Sequence, residues 1–283
     1  MHPANDHICN QYYLSSLNPE DYRRSDGCDF SKYVRRFRPK ELEITCDNIH
    51  RLKIEKFIGG GAAGRVYAGN WLGTKVAVKM PKDNNLMHAH AQSLVEQVAI
   101  LQKLRKAPNI IPILGWCNTT IVMPKAVGTL GDFILHRKTP LPMKRALRLC
   151  LDIAKGVEQL HVSPFGAIVH NDIKYAQFLY NSEGRLLLAD LGSKKYAGFS
   201  NTNKKKCYFE RKGKMPKSGL DEKIDIYAIG GLMDTVLQRT RLEFPQAMKD
   251  LISEALDANP IKRPSAREMH VRIKSILSGY RNI

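Results

Sequence analysis

The chain has 283 residues, 43% of them hydrophobic, and its 45 lysines and arginines against 27 aspartates and glutamates give a formal net charge of +18. A chain of that length and apolar content is globular, one domain or two tightly packed lobes. It has no run of eighteen apolar residues that would predict a membrane-spanning helix, and Met1-His2-Pro3-Ala4-Asn5-Asp6 opens with no apolar leader core. The charge points to anionic partners such as nucleotides, acidic surfaces or sugars bearing phosphate, and by itself to nothing finer. Most of the basic residues are spread along the chain, as on a solvated face, with local clusters at Lys204-Lys205-Lys206 and from Tyr33 to Lys40.

Residues 1–48 are polar, with scattered aromatics and no sustained periodicity, and read as an N-terminal extension, wrapped onto a domain or partly disordered. Leu52 to Ile58 alternates as a half-buried strand. After a Gly-rich turn come Arg65 to Trp71 and Lys75 to Lys79, so three strands form an antiparallel meander. Ser93 to Lys106 carries Leu94, Val98, Leu101 and Leu104 at helical spacing. Ile110 to Trp116 and Thr119 to Met123 read as two further strands. Beyond Lys125 the pattern turns helical: Leu147, Cys150, Ile153, Ala154, Val157 and Leu160 form the stripe of a long buried helix ending at His161. Helices also fit Lys223 to Gln238, Pro245 to Ala258 and Ala266 to Leu277. Strands first and helices after is an α+β pattern of two lobes around a cleft.

The six cysteines contain no C-x-x-C pair, which argues against zinc. Cys9, Cys28 and Cys46 fall in the N-terminal segment, Cys117 and Cys150 in predicted structured regions, and Cys207 in a loop. The even count is compatible with disulfides. Asn118-Thr119-Thr120 is a glycosylation sequon, a pattern that also arises often by chance.

Gly59-Gly60-Gly61-Ala62-Ala63-Gly64-Arg65-Val66 satisfies G-x-G-x-x-G-x-V. Glycine clusters usually mark a plain turn. Here a strand follows instead of a helix, which argues against a dinucleotide fold and for a flap whose N–H groups cover phosphates. Val76-Ala77-Val78-Lys79 ends an apolar strand with a lysine. Such a lysine either snorkels off a strand edge or needs a ligand, and ATP phosphates suit it.

Further on, His170-Asn171-Asp172-Ile173-Lys174-Tyr175-Ala176-Gln177 is followed thirteen residues after Gln177 by Asp190-Leu191-Gly192. Lys79 precedes Asp172 by 93 residues. With Asp225 to Gly230 and Asn259 to Ser265 added, residues from about 52 to 278 resemble a eukaryotic protein-kinase domain. The resemblance implies a kinase domain over 49–283, with an N-lobe over 49–123 and a C-lobe over 126–283. It implies ATP and Mg²⁺ as cofactors. Gly59, Gly61, Gly64, Val66 and Ala77 would line the nucleotide, Lys79 would bind its α/β-phosphates, and Met123 to Lys125 would be the adenine hinge. Asp190 and Gln177 would hold the metal, Asp172 would take the acceptor's proton, and Lys174 would neutralise charge on the transferring group. The acid paired with Lys79 belongs on the helix 93–106. Alignment on Leu101 and Leu104 puts Gln97 there, with Glu96 one residue off, and Glu96 is taken as the partner.

Asn171 stands where the family has arginine, so control by a phosphorylated activation loop is not expected. The loop is short and basic and lacks an A-P-E motif; Phe209-Glu210-Arg211 would stand in for it, with Glu210 pairing to Arg263. Gln177 stands where the family has asparagine, keeping the amide oxygen with about 1.5 Å more reach. Together with Leu188-Ala189-Asp190-Leu191 and Leu114-Gly115-Trp116-Cys117, it resembles the O-mannose kinase branch of the secretory-pathway kinases. That branch phosphorylates a mannose hydroxyl on O-glycosylated protein in the endoplasmic reticulum. Three readings stay open: a phosphotransferase favouring a carbohydrate acceptor, a conventional cytoplasmic Ser/Thr or Tyr kinase, and a pseudokinase scaffold. Lys79, Asp172, Lys174 and Asp190 speak against the last. The expected partners are ATP and a protein or glycoprotein substrate, with no nucleic acid.

Overall fold

A computed structural model describes residues 42–61, 64–81, 97–98, 100–163, 167–191, the backbone of 195–196, and 222–280. The chain divides into two units. The first holds the described residues up to Lys106 together with Ile111–Lys125; the second holds Ala107–Ile110 and the described residues from Ala126 onward.

The first unit is built on five antiparallel strands: β1 (Lys53–Gly61), β2 (Gly64–Trp71), β3 (Thr74–Met80), β4 (Gly115–Cys117) and β5 (Thr120–Pro124), in the order β1-β2-β3-β5-β4. The register pairs Tyr67 with Val78, Val78 with Val122, and Gly115 with Val122. Side chains alternate across a strand, so the sheet has two distinct faces. Trp71, Val76, Val78, Cys117 and Val122 form a buried cluster on one face with Ile44 and Ile49. Val66, Ala77, Lys79 and Met123 lie on the other.

Ile44 comes from the stretch read as extension, and Ile49 directly follows it. Glu43 accepts a hydrogen bond from Trp71 Nε1 at 2.7 Å, Ile44 exchanges backbone hydrogen bonds with Leu114 and Trp116, and Cys46 is bonded to Cys117. A Cβ on Gly115 would sit 2.2 Å from Ile44 Cβ, so only glycine lets this seam close. Of the six cysteines, Cys46 and Cys117 are therefore paired and Cys150 is buried as a thiol, while Cys9, Cys28 and Cys207 lie outside the described residues.

Two strand expectations need correcting. β1 is not half-buried: Ile54, Phe57 and Ile58 are exposed, because register shifts on either side of Phe57 break the two-residue period. The strand expected over Ile110 to Trp116 shrinks to Gly115–Cys117, since Pro112 has no N–H to give a ladder.

In the second unit, α1 (Leu130–Leu135) is started by a capping box between Thr129 and Asp132. α2 (Met143–His161) buries the whole predicted stripe from Leu147 to Leu160 and packs on α3 (Glu222–Gln238), on α5 (Ala266–Gly279) and on strand β9 (Leu186–Leu188). α4 (Gln246–Ala255) lies against α3 and α5. The helical reading beyond Lys125 omits the strands here. β6 (Gly128–Thr129), β8 (Phe178–Tyr180) and β9 form one small sheet, and β7 (Ile168–Val169) pairs with β10 (Lys195–Tyr196). With two or three residues each, they are too short to show a period. No described helix is long and apolar enough to cross a membrane.

The disulfide closes a loop with a sequence separation of 71, for which the chain-entropy model gives about 4 kcal/mol. Cys46→Ser, or reduction of the native chain, should lower the unfolding free energy by roughly that amount. Denaturant titration with and without reductant measures it; unchanged midpoints would show that the pair contributes nothing.

Candidate active site

The segment after β7 holds most of the second unit's candidate residues, and one buried carboxylate shapes it. Asp225, 1% exposed on α3, accepts from the His170 N–H at 2.7 Å and from the Asn171 N–H at 2.8 Å, and lies 3.0 Å from His161 Nε2. These bonds fix the chain where it makes its sharpest excursion. Asn171 has φ 56°, a left-handed conformation that costs most side chains about 1–2 kcal/mol and costs asparagine least. Asn171 thus does more than remove a cation: it is the residue type that this backbone accepts.

The excursion delivers Asp172. Both of its carboxylate oxygens accept from Lys174 Nζ, at 3.1 and 2.9 Å, and both residues are about half exposed, at 49% and 55% of their side-chain areas. A 3₁₀ turn, Tyr175–Gln177, then brings in Gln177, which is buried. Its Nε2 donates to Asp172 at 3.0 Å and reaches Asp190 at 3.4 Å. One carboxamide therefore spans the two aspartates. Asp190 is itself left-handed, with φ 56°. It is positioned by β9 and by two bonds on Ala189, whose N–H donates to the Gln177 carbonyl and whose carbonyl lies 3.1 Å from His170 Nε2. Beneath, Asp152 accepts from the Leu186 N–H and from Asn109 Nδ2 and so anchors the start of β9. Burial holds its carboxyl above the ordinary range, against the pull of those two bonds.

In the first unit, the hairpin of β1 and β2 pairs Gly59 with Val66 and Gly61 with Gly64. A Cβ on Gly64 would fall 2.3 Å from the Met80 carbonyl oxygen, so this glycine serves the fold. Cβ atoms on Gly59 and Gly61 would meet nothing, so those two leave backbone bare. Val66 is registered with Lys79 and Ala77 with Met123, which puts all four on one face. Lys125 follows, its N–H donating to the Lys75 carbonyl at 3.3 Å. Lys79, 6% exposed, donates to Gln97 Oε1 at 3.0 Å. Glu96, taken as its partner from the sequence, lies outside the described residues, as does Glu210. The contact that is described belongs to the aligned position, Gln97. Arg263, expected to meet Glu210, donates to the Lys223 and Asp257 carbonyls and stacks on Tyr227.

The sequence reading gave no role to Asp225 or His161. A carboxylate inside the apolar run Ile224-Asp225-Ile226 was the available signal, since a buried acid must have hydrogen-bond donors.

The model of the protein tyrosine and serine/threonine kinase family matches residues 52–217, more than half of the chain, and the chain belongs to that family. It carries the fold of that family's domain, with an antiparallel-sheet unit and a mostly helical unit. It is 26% identical over 257 residues to dual specificity protein kinase shkE of Dictyostelium discoideum, a match covering 78% of this chain and 36% of that protein. It is 28% identical over 273 residues to the probable serine/threonine-protein kinase SIS8 of Arabidopsis thaliana, covering 82% of this chain and 26% of the relative. Against serine/threonine-protein kinase 12 of the same plant it is 28% identical over 243 residues, covering 73% and 53%. The chain thus spans between about a quarter and about half of these relatives' own lengths.

Two outcomes follow from the loop's support. Asp225→Ala leaves two N–H groups without their acceptor and should destabilise the chain by about 2–6 kcal/mol in chemical denaturation, at about 1–3 kcal/mol for each; a change under 1 kcal/mol would mean that the loop holds itself. Asn171→Gly should be neutral to within a few tenths of a kcal/mol, whereas Asn171→Val should cost about 1–2 kcal/mol. Equal stability of the two variants would refute the backbone role.

Proposed function

We propose that the chain transfers the γ-phosphoryl group of ATP, with Mg²⁺, to a hydroxyl of a protein substrate. The observation that carries this reading is the constellation of Asp172, Lys174, Gln177 and Asp190, gathered around a single carboxamide. The donor set suits a small hard cation: the Asp190 carboxylate and the Gln177 amide offer only oxygen as metal-binding atoms, and Mg²⁺ takes one or two carboxylates and fills its sphere with phosphate oxygens and water. Asp190 and Gln177 would hold it, Gln177 through the amide oxygen of a turned carboxamide. When bound, the cation neutralises phosphate charge.

The chain's own residues do the rest. Asp172, exposed and unencumbered by metal-binding duty, accepts the proton of the incoming hydroxyl. Lys174 orients that carboxylate through two hydrogen bonds, and its charge offsets negative charge gathering on the transferring group. Lys79, Gly59 and Gly61 supply the ammonium and bare backbone that the remaining phosphates require. Val66, Ala77 and Met123 give an apolar face for the adenine ring, with Lys125 at its margin.

The names of the relatives favour a Ser/Thr hydroxyl on a protein as the acceptor. A second reading, the mannose of an O-glycosylated protein in the lumen of the endoplasmic reticulum, is favoured by one observation: the Cys46–Cys117 disulfide. Such bonds persist in oxidising compartments and are rare in the cytosol. The sequon at Asn118 adjoins Cys117 in the turn between β4 and β5.

The test is transfer of labelled γ-phosphate from ATP to a panel of Ser, Thr and Tyr peptides and mannosylated glycopeptides. Asp172→Ala should bind nucleotide and lose about 10²–10⁴-fold in turnover. Asp190→Ala should lose both Mg²⁺-dependent nucleotide binding and transfer, and Gln177→Asn should keep activity that Gln177→Ala lacks. No transfer to any acceptor by the unaltered chain would leave the scaffold reading standing. Transfer to glycopeptides alone would decide for mannose.

A further inference from the structure

Gln97 is almost completely buried, 1% exposed, and its carboxamide has two ends with different tasks. An ammonium group can only donate, so the atom facing Lys79 Nζ at 3.0 Å must be the amide oxygen. That fixes the position of Nε2, and Nε2 has no hydrogen-bond partner. A buried amide donor without an acceptor is unfavourable, and such groups in working proteins are satisfied by protein, water or ligand. Nε2 shares a carbon with the oxygen held by Lys79. An anion that reaches the Lys79 ammonium therefore arrives beside a donor that needs an acceptor.

We propose that Gln97 Nε2 donates a hydrogen bond to the nucleotide phosphate that Lys79 binds, making residues 79 and 97 a paired phosphate-recognition element. This rests on the ATP-dependent reading above. Phosphate oxygens only accept; an ammonium and the NH₂ end of a carboxamide only donate, so the pair is matched to a polyphosphate and indifferent to the nucleoside. The proposal also distinguishes glutamine from glutamate at this position. A glutamate would satisfy Lys79 as well or better, yet would put a charged acceptor oxygen where the donor now stands.

Calorimetric titration of the full chain with ATP, ADP and adenosine, in the absence of an acceptor, tests it. Gln97→Glu keeps the contact to Lys79 and removes the donor, so ATP and ADP should bind at least about tenfold more weakly while adenosine stays within about twofold. ATP binding by Gln97→Glu that equals or exceeds that of the unaltered chain would overturn the proposal, leaving Gln97 as a prop for Lys79. Should the glutamate disturb the fold, the side-chain amide signal carries the test. The ¹⁵N resonance missing from the spectrum of Gln97→Met, an uncharged variant of equal length, should shift on addition of ATP and not of adenosine. A resonance unmoved by ATP sinks the idea. If the unaltered chain binds no ATP, the ATP-dependent reading falls with it; if it binds ATP regardless of residue 97, only the role of Gln97 falls.

Discussion

A carboxylate taken out of water has to be given hydrogen bonds, and Asp225 takes its bonds from the segment that leads into Asp172. Backbone N–H groups that donate to an ionised carboxylate form stronger bonds than neutral pairs do. Two of them, with His161 beside, outweigh the cost of holding Asn171 left-handed. From there the constraint spreads. His170 reaches across to the Ala189 carbonyl, which precedes Asp190, so one acid on α3 governs where both aspartates of the candidate site stand. Lys174 and Gln177 follow within five residues and need only a short 3₁₀ turn to close on Asp172.

The first unit solves a different problem with a two-faced sheet. One face is a sealed apolar cluster closed by the segment around Ile44; the other presents Val66, Ala77, Lys79 and Met123. Because side chains alternate across β2, β3 and β5, sealing one face leaves Lys79 and its neighbours on the other. A single slip of register on β3 would exchange Lys79 for Val78. The covalent seam from Cys46 to Cys117 lies on the sealed side, where it can stiffen β4 without touching Val66, Ala77, Lys79 or Met123.

Much of this was legible in the residues. The long buried helix announced itself through a stripe of six apolar positions, and Lys79, Asp172, Gln177 and Asp190 through spacing that few folds share. What stayed hidden had physical reasons. Strands of two or three residues carry no period, and the binding of residues 43–46 to the sheet depends on Gly115, far along the sequence. Position 171 looked like a lost charge because a sequence shows side chains and conceals φ. The choice between Glu96 and Gln97 turned on charge when read from the sequence, which favours the acid. In the fold Gln97 meets Lys79, and Glu96 lies outside the described residues.

The seam at Ile44 also bears on how this chain tolerates being shortened. A border drawn at residue 49, where the strand pattern begins, would cut away Glu43, Ile44 and Cys46 together. Trp71 would lose its indole acceptor, Gly115 would face a groove with nothing in it, and Cys117 would become a lone thiol on a freshly bared apolar surface. Such a trimmed chain combines a sticky patch with a reactive sulfur, the two ingredients for covalent self-association. The first working residue of this domain therefore lies several positions before the first residue that looks like part of it.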